Sequence, residues 1–353
     1  MSRFLLFLSI IVMIYPISFF NGCESFYLPT INRNSMTILV GCSGWSYDDW
    51  IGRFYPLYLA NRKEEWLRYY AQFFKTVEIN STFYRPPSEF IVRSWISKAS
   101  FLGEFEFSVK LPQLITHDSL VNGKIEAAGR QAQSFEEICI APLAKKDLLG
   151  TALIQLSPYF KYDPDSISSL STFLSSIACD RYRYAIEFRH RSWLDDSRNQ
   201  IIGEVTDLLK KFDVAMVIVD GPGFPFTDQL TSYHSYIRFH GRNYDIWFDG
   251  EKEDDFRINR YDYLYSEDQL RPWEKRIRKM QLEAKEIRVY FNNHGSAKAV
   301  KNALQMMDFL SIPHREKEVQ VQNQMKLGTF NSSRYLDESE MNHNFQISRS
   351  DRA

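Results

Sequence analysis

The chain has few cysteines, and they show no spacing typical of a metal site or a disulfide framework. The four, Cys23, Cys42, Cys139 and Cys179, stand far apart in 353 residues and form no C-x-x-C pair. Zinc sites and disulfide frameworks use close or paired cysteines, so the sequence supports neither. Without the first of them, three would remain, an odd number that suits a reducing compartment.

An excess of charge and a nucleotide-binding motif are also missing. The 43 lysines and arginines face 44 aspartates and glutamates, giving a net charge of −1. This balance gives no overall reason to expect binding to nucleic acid or to an anionic membrane, although a local basic face is compatible with it. The pair Gly41-x-x-Gly44 is too short for a phosphate-binding loop, and the chain has no H-E-x-x-H pair.

One long apolar run lies near the N-terminus, from Phe4 to Phe20, with Arg3 in front of it. Two interpretations remain open. The run is a secretory signal or membrane anchor, and the protein is then exported or membrane-anchored. Alternatively, translation starts at Met36, directly before the first apolar strand, and the protein is cytoplasmic. Under either interpretation, residues 1–35 form an apolar extension outside the fold.

Shorter apolar runs recur along the rest of the chain, and most intervals between them show helical periodicity. Strands that alternate with helices predict a parallel sheet, and eight such units predict a closed barrel. The eight runs are Thr37–Gly41, Thr76–Ile79, Phe105–Val109, Thr151–Leu156, Tyr184–Phe188, Val214–Val219, Tyr236–Phe239 and Ile287–Phe291.

The predicted fold class is therefore α/β, a single TIM-type (β/α)8 barrel over residues 37–310. One repeat is irregular, because no helical pattern separates strands six and seven. A long loop of about 26 residues follows strand seven, and loops of that length in a compact domain are often lids or disordered segments. Residues 311–353 are polar and lack periodicity, which predicts a disordered tail.

Polar side chains stand at the ends of nearly all eight runs. In a parallel barrel these ends converge on one mouth, where active sites lie. The predicted catalytic residues are Glu78, Glu187, Asp220 and His240, as carboxylates and a proton carrier near neutral pH. The predicted substrate-binding residues are Lys110, Arg189, Arg238, Asn292, Asn293, Trp45 and Tyr84. The first three are cations suited to an anion, since guanidinium groups match phosphate oxygens.

These residues favour a hydrolase that acts on a phosphate-containing or other anionic substrate. Catalysis would be acid–base or metal-assisted, because Glu78, Glu187, Asp220 and His240 carry atoms that bind divalent metals. The cofactor therefore stays open, with a divalent metal as one alternative. For each charged residue, a structural ion pair across the barrel top is an equally simple role.

A function of another class is also open. Aromatic side chains such as Trp45 and Tyr84 beside Arg238 can stack on bases or sugars, which would suit a non-catalytic barrel that binds nucleic acid or carbohydrate. Packing of these rings against the barrel rim is the simpler explanation. The expected partner is a small anionic ligand or a nucleic acid, and no partner protein is implied.

Several short motifs follow one another along the barrel region. They are Val40–Tyr47, Trp50, Phe54–Pro56, Val77–Tyr84, Phe107–Lys110, Thr116-His117, Gln155–Pro158, Ile186–His190 with Trp193, Tyr236–Arg242 and Tyr290–Asn293. Together they resemble the motifs of domain-of-unknown-function family 72, the YecE-like barrels. The resemblance spans roughly residues 37–310 and implies a TIM-type barrel, but it brings no established reaction.

Overall fold

A computed structural model describes most of the chain from residue 37 onward. The described residues are 37–195, 197, 200–222, 225, 227–244 and 260–321. The apolar run at residues 4–20, the centre of the predicted loop after strand seven and most of the predicted tail lie outside them. Within the described residues, no helix has the length and apolar character needed to cross a membrane.

Eight parallel strands form one sheet, ordered β1-β8-β7-β6-β5-β4-β3-β2. The predicted barrel is confirmed, and each predicted run matches an observed strand to within two residues at either end. Apolar and β-branched residues dominate these runs, as expected for strands buried on both faces. The strands are β1 Thr37–Cys42, β2 Thr76–Ile79, β3 Glu106–Lys110, β4 Leu149–Gln155, β5 Tyr184–Glu187, β6 Ala215–Asp220, β7 His234–Phe239 and β8 Glu286–Phe291.

Helices surround the strands and begin where the sequence supplies caps. Ser88 accepts a hydrogen bond from the Ile91 amide, and Asp163 accepts one from the Ser166 amide. The described residues between β6 and β7 contain no helix, so the irregular repeat is confirmed. The helices are α1 Trp66–Tyr70, α2 Ser81–Tyr84, α3 Glu89–Ala99, α4 Ile125–Phe135, α5 Ala141–Ala144, α6 Pro164–Ser175, α7 Gly203–Lys211, α8 Glu267–Met280 and α9 Lys298–Leu310.

The strands divide the core into two parts. A small cluster that includes Leu153, Val217 and Tyr290 fills the inside of the barrel, and a larger one lies between strands and helices. On β7 the alternation is clear: Arg238 faces inward, whereas the Phe239 ring packs 4.8 Å from the Trp273 ring of α8. This period of two decides which strand-end residues reach the mouth.

The barrel has a seam, because β1 and β2 are the two ends of the hydrogen-bonded order. Tyr70 of α1 bridges it. Its hydroxyl accepts from the Cys42 amide at 2.8 Å and donates to the Thr76 carbonyl at 3.0 Å. Gly41 permits this approach, since a Cβ there would lie 2.3 Å from the Thr76 carbonyl oxygen. One phenol thus supplies polar contacts that strand pairing supplies elsewhere.

An ion-pair network lies at the strand starts, opposite the mouth. Arg288 is buried and binds the carboxylates of Glu106 at 2.7 Å and Glu286 at 2.9 Å. Glu286 also binds Arg183 at 2.9 Å. Because this network is remote from the predicted site, Arg288 offers a matched reference for buried arginines at the mouth.

After α9 the described chain continues to residue 321 without regular structure. Val319 is buried, and the Gln320 amide donates to the Arg53 carbonyl at 3.4 Å. This segment therefore packs against the barrel.

Candidate functional site

A buried arginine lies between two buried glutamates at the barrel mouth. Arg238 of β7 donates from Nη2 to Oε1 of Glu78 at 2.7 Å and from Nη1 to Oε2 of Glu187 at 2.5 Å. All three side chains are almost fully shielded from solvent. Burial would lower the pKa of Arg238, but the two carboxylates raise it, so the guanidinium stays charged. The structure therefore brings three of the predicted residues into one ion-pair cluster.

Neighbouring polar groups complete this cluster. Tyr236, two residues before Arg238 on β7, donates its hydroxyl proton to Oε2 of Glu78 at 2.6 Å. Gln155 at the end of β4 accepts from Arg238 at 3.2 Å, and Arg189 donates to Oε1 of Glu187 at 2.6 Å. Burial would raise the pKa of Glu187, but Arg238 and Arg189 hold it well below its usual value. This carboxylate is thus a fixed negative charge at neutral pH.

His240 lies between the carboxylate of Glu187 and the side-chain amides of Asn292 and Asn80. Asn80 donates to Oδ1 of Asn292 at 3.1 Å, and Asn292 Nδ2 lies 3.0 Å from Nδ1 of His240. Two groups lie 3.4 Å from Nε2, Oε1 of Glu187 and Nη1 of Arg238. The shorter contact from Asn292 favours Nδ1 as the acceptor, with the proton on Nε2 facing Glu187. Burial lowers the pKa of His240 to about 4, so the ring is neutral near pH 7.

A cavity of about 710 Å³ opens above this network. Its size is in the usual range for small-molecule sites. Five of the predicted residues line it: Trp45, Tyr84, Lys110, Arg238 and Asn292. Its aromatic wall also includes Tyr47, whose ring stacks on that of His294 with centroids 4.5 Å apart.

Lys110, at the end of β3, has an unusual environment. Its side chain is buried, lines the cavity and places Nζ 3.7 Å from the centroid of the Phe83 ring. Among the described residues it forms no ion pair with a carboxylate, since Glu78 and Glu187 pair with arginines. Burial, with Arg238 and Arg189 nearby, lowers the pKa of Lys110 well below its usual value. This environment therefore favours the neutral amine over the ammonium form.

The structure does not bring Asp220 and Asn293 to this cluster. The Asp220 carboxylate accepts from Arg242 at 2.8 Å, from Tyr265 at 2.9 Å and from Trp273 of α8 at 2.9 Å, between the strands and the helices. Asn293 donates to the Tyr263 carbonyl at 2.8 Å. Each follows an inward-facing residue by one position, and the strand alternation turns it away from the mouth.

The predicted metal ligands are not grouped for metal binding. No set of three or more His, Cys, Asp and Glu side chains in the described part of the chain is placed to hold an ion. Glu78 and Glu187 share Arg238 between them, and Asp220 lies behind the barrel wall. A divalent metal is therefore not assigned to these residues.

The sequence-based prediction omitted several residues that the structure places at the site. The sequence could have indicated Tyr236, because it stands two positions before Arg238 on β7 and residues two apart on a strand lie on the same face. His117, which the sequence shows within the motif Thr116-His117, lines the cavity, and its pKa is lowered to about 4 by burial, with the charge on Lys110 acting in the same direction. Tyr261 and His294 also line the cavity, but both come from loops, where no periodicity indicates a direction.

Known proteins resemble this chain over most of the barrel. A family profile described as "Protein of unknown function DUF72" matches residues 39–326. The UPF0759 protein YunF of Bacillus subtilis (strain 168) is 26% identical over 286 residues, covering 78% of this chain and 96% of that protein.

Two crystal structures share the fold. A DUF72 family protein of Thermotoga maritima (TM1631) is 33% identical with a TM-score of 0.64, covering 78% of this chain and 99% of that one. Another, from Enterococcus faecalis (EF0366), is 25% identical with a TM-score of 0.65, covering 80% of this chain and 100% of that one. Neither description states an activity, and the profile spans most of the barrel, including every strand end that builds the cavity. The chain therefore belongs to the DUF72 family, whose members are proteins of unknown function.

Proposed function

We propose that the chain is an enzyme, a hydrolase of small phosphate-containing or otherwise anionic substrates that uses the mouth cavity as its active site. The observation that carries the proposal is Lys110: a buried lysine, facing the cavity, without a carboxylate partner among the described residues. A lysine in such a place costs folding stability, because burial disfavours its charged form. Groups with such a cost are often found at functional sites.

The local charges favour an anion. Among the described residues, the charged groups that act most strongly on Lys110 are two arginines and two glutamates, Arg238, Arg189, Glu187 and Glu78, and these balance in number. A proton on Lys110 is therefore uncompensated within this group. An anion bound in the cavity would compensate it and raise the pKa of Lys110, so binding should be accompanied by proton uptake.

Lys110 is also better suited than the glutamates to act as the base. Arg238 and Arg189 hold Glu187 ionised and hydrogen-bonded, and this weakens it as a proton acceptor. Burial favours the neutral amine of Lys110, and the fraction that stays unprotonated in the substrate complex can take a proton from a water or a substrate hydroxyl. Glu78, Glu187 and His240 then serve to position and polarise the floor of the cavity.

The test measures binding and turnover separately. Calorimetric titration of inorganic phosphate in two buffers of different ionisation enthalpy should show uptake of up to about one proton per phosphate near pH 8. Lys110→Arg should bind phosphate without uptake, because arginine stays charged. It should also lose turnover of p-nitrophenyl phosphate by about a hundredfold or more, the usual worth of a general base. Lys146→Arg, at an exposed lysine, is the matched control.

Three results would contradict the proposal. Equal proton uptake in the wild type and Lys110→Arg would show that another group takes the proton. Turnover that persists in Lys110→Arg would remove Lys110 as the base, and no phosphate binding at all would remove the anion site.

A second candidate function has its own supporting observation. Trp45 and Tyr84 line the cavity, and Tyr84 is 72% exposed, which leaves its ring accessible to a base or sugar. A non-catalytic binding barrel is the corresponding proposal. Quenching of tryptophan fluorescence by a nucleoside monophosphate, lost in Tyr84→Ala and retained in Lys110→Arg, without turnover of any phosphoester, would favour it.

A further inference from the structure

The cavity floor around Lys110 suits covalent chemistry as well as proton transfer. We infer that the Nζ of Lys110 is a nucleophile that forms an imine with the carbonyl group of a small anionic aldehyde, ketone or keto acid. The inference rests on the proposed function, because it needs Lys110 to meet an anionic substrate in this cavity. It names the substrate class more narrowly than the proposal does.

The first requirement for imine formation is an amine with a free lone pair. A lysine of ordinary pKa near 10.4 is unprotonated at pH 7 in only about one molecule in a few thousand. Lys110 differs because it is enclosed by the barrel, lies over the Phe83 ring and has no carboxylate partner in the described part of the chain. Enclosure and nearby arginines both favour the neutral amine, as in other lysines that form Schiff bases.

The second requirement is space beside the amine. Lys110 reaches the cavity from the end of β3, and its Nζ lies 3.7 Å from the centroid of the Phe83 ring, which lines the same cavity. His117, whose ring meets Phe83 edge-on at 4.9 Å, lines the same cavity. A carbonyl carbon can therefore approach Nζ from the cavity, with a neutral imidazole nearby.

The step is balanced without a cofactor. The lone pair of Nζ forms the C–N bond while the carbonyl π electrons move to oxygen. The amine passes one proton to that oxygen, and a second proton from solvent lets it leave as water. The product is a protonated imine with one positive charge, the same charge as the lysine ammonium. An anionic group on the substrate compensates both forms, which is why the substrate class is an anionic carbonyl compound.

Borohydride trapping of the full chain tests the inference. The probe is dihydroxyacetone phosphate, with dihydroxyacetone as its uncharged counterpart, at pH 7 in the presence of sodium borohydride. Reduction should fix an adduct that adds the mass of the probe less one oxygen atom, and peptide mapping should place it on Lys110. The phosphorylated probe should react roughly tenfold more than the neutral one, the effect expected of one charge pair.

The control variants separate the possible outcomes. The adduct should disappear in Lys110→Met and Lys110→Arg and persist in Lys146→Arg. An adduct spread over exposed lysines and unchanged in Lys110→Met would overturn the inference. Equal reaction with both probes would overturn the anionic substrate class. Proton-coupled phosphate binding without an adduct would overturn the imine and leave the proposed function standing, whereas absence of both would remove both.

Discussion

Arg238→Met is the perturbation that examines the ion-pair cluster most directly. The arginine binds two buried carboxylates at 2.5 and 2.7 Å, and its removal leaves Glu78 and Glu187 without their shared partner. Breaking a buried pair by removing one member costs about 3–5 kcal/mol of unfolding free energy. For a domain of this size, about 2–4 °C of melting temperature accompany each kcal/mol, so a fall of roughly 6–20 °C is expected.

The stability lost in Arg238→Met should become smaller as the pH falls. Arg238 lowers the pKa of folded Glu187, against the opposite effect of burial. In the wild type this stabilises the fold above the ordinary carboxyl pKa of about 4.3, and the contribution is lost as the pH falls through the lower folded value. Without Arg238 the folded pKa of Glu187 rises. The difference in unfolding free energy between wild type and Arg238→Met is therefore largest at pH 7, and it shrinks as the pH falls through the raised pKa of Glu187 in the variant.

Urea unfolding of both proteins at pH 7 and near pH 4 measures this difference. Adding Glu78→Gln and Glu187→Gln to Arg238→Met should recover part of the loss, because the buried charges are then gone. Arg288→Met, in the network at the opposite end, should destabilise the fold by a similar amount without weakening phosphate binding. A loss below about 1 kcal/mol at pH 7, or one that is the same at both pH values, would refute the electrostatic argument.

Three other substitutions have expected outcomes. Lys110→Met should increase the unfolding free energy at pH 7 by about 1 kcal/mol or more, because a lysine with a lowered folded pKa costs stability below its unfolded pKa of about 10.4. In urea unfolding this gain should shrink toward pH 10, and a gain that is constant with pH would contradict the assigned cause. Asp220→Ala should lower the unfolding free energy by about 3–5 kcal/mol in the same assay, because the Trp273 indole, Arg242 and Tyr265 lose a buried acceptor. The phosphate affinity of the folded protein should be unchanged. Asn292→Ala should raise the fraction of the other His240 tautomer in nitrogen-15 NMR spectra, and an unchanged spectrum would remove Asn292 as the group that sets it.

The barrel and the set of strand ends were accessible from the sequence because each depends on a local pattern. Eight apolar runs of strand length, separated by helical periodicity, allow few other architectures. The parallel arrangement then places the ends of all runs at one mouth. This arrangement predicts Glu78, Glu187 and Arg238 at one place, and both glutamates bind Arg238 in the structure.

The orientation of single strand-end residues was less accessible. In a strand buried on both faces the sequence is apolar throughout, so it does not show which alternate residues face inward. On β6 the inward set includes Val217 and Val219, and this turns Asp220 outward. The same effect separates the adjacent Asn292 and Asn293.

The state of Lys110 could not be read from its sequence neighbours. Its lowered pKa comes from enclosure by the barrel and from Arg238 and Arg189, which are more than seventy positions away along the chain. The pairing of both glutamates with arginine also depends on the closed barrel. Those long-range contacts decide whether the mouth offers an amine or an ammonium to a ligand.

The tyrosine at the seam gives the barrel a point where its closure can be varied. Tyr70→Phe would keep the ring in the core and remove only the hydroxyl that serves the Cys42 amide and the Thr76 carbonyl. The edges of β1 and β2 would then be joined by packing and by the hydrogen bond of 3.4 Å from the Asn80 side-chain amide to the Ser43 carbonyl at the mouth. Amide hydrogen exchange at Cys42 would report how often the two edges separate. The strength of ring closure thus depends in part on one phenolic oxygen.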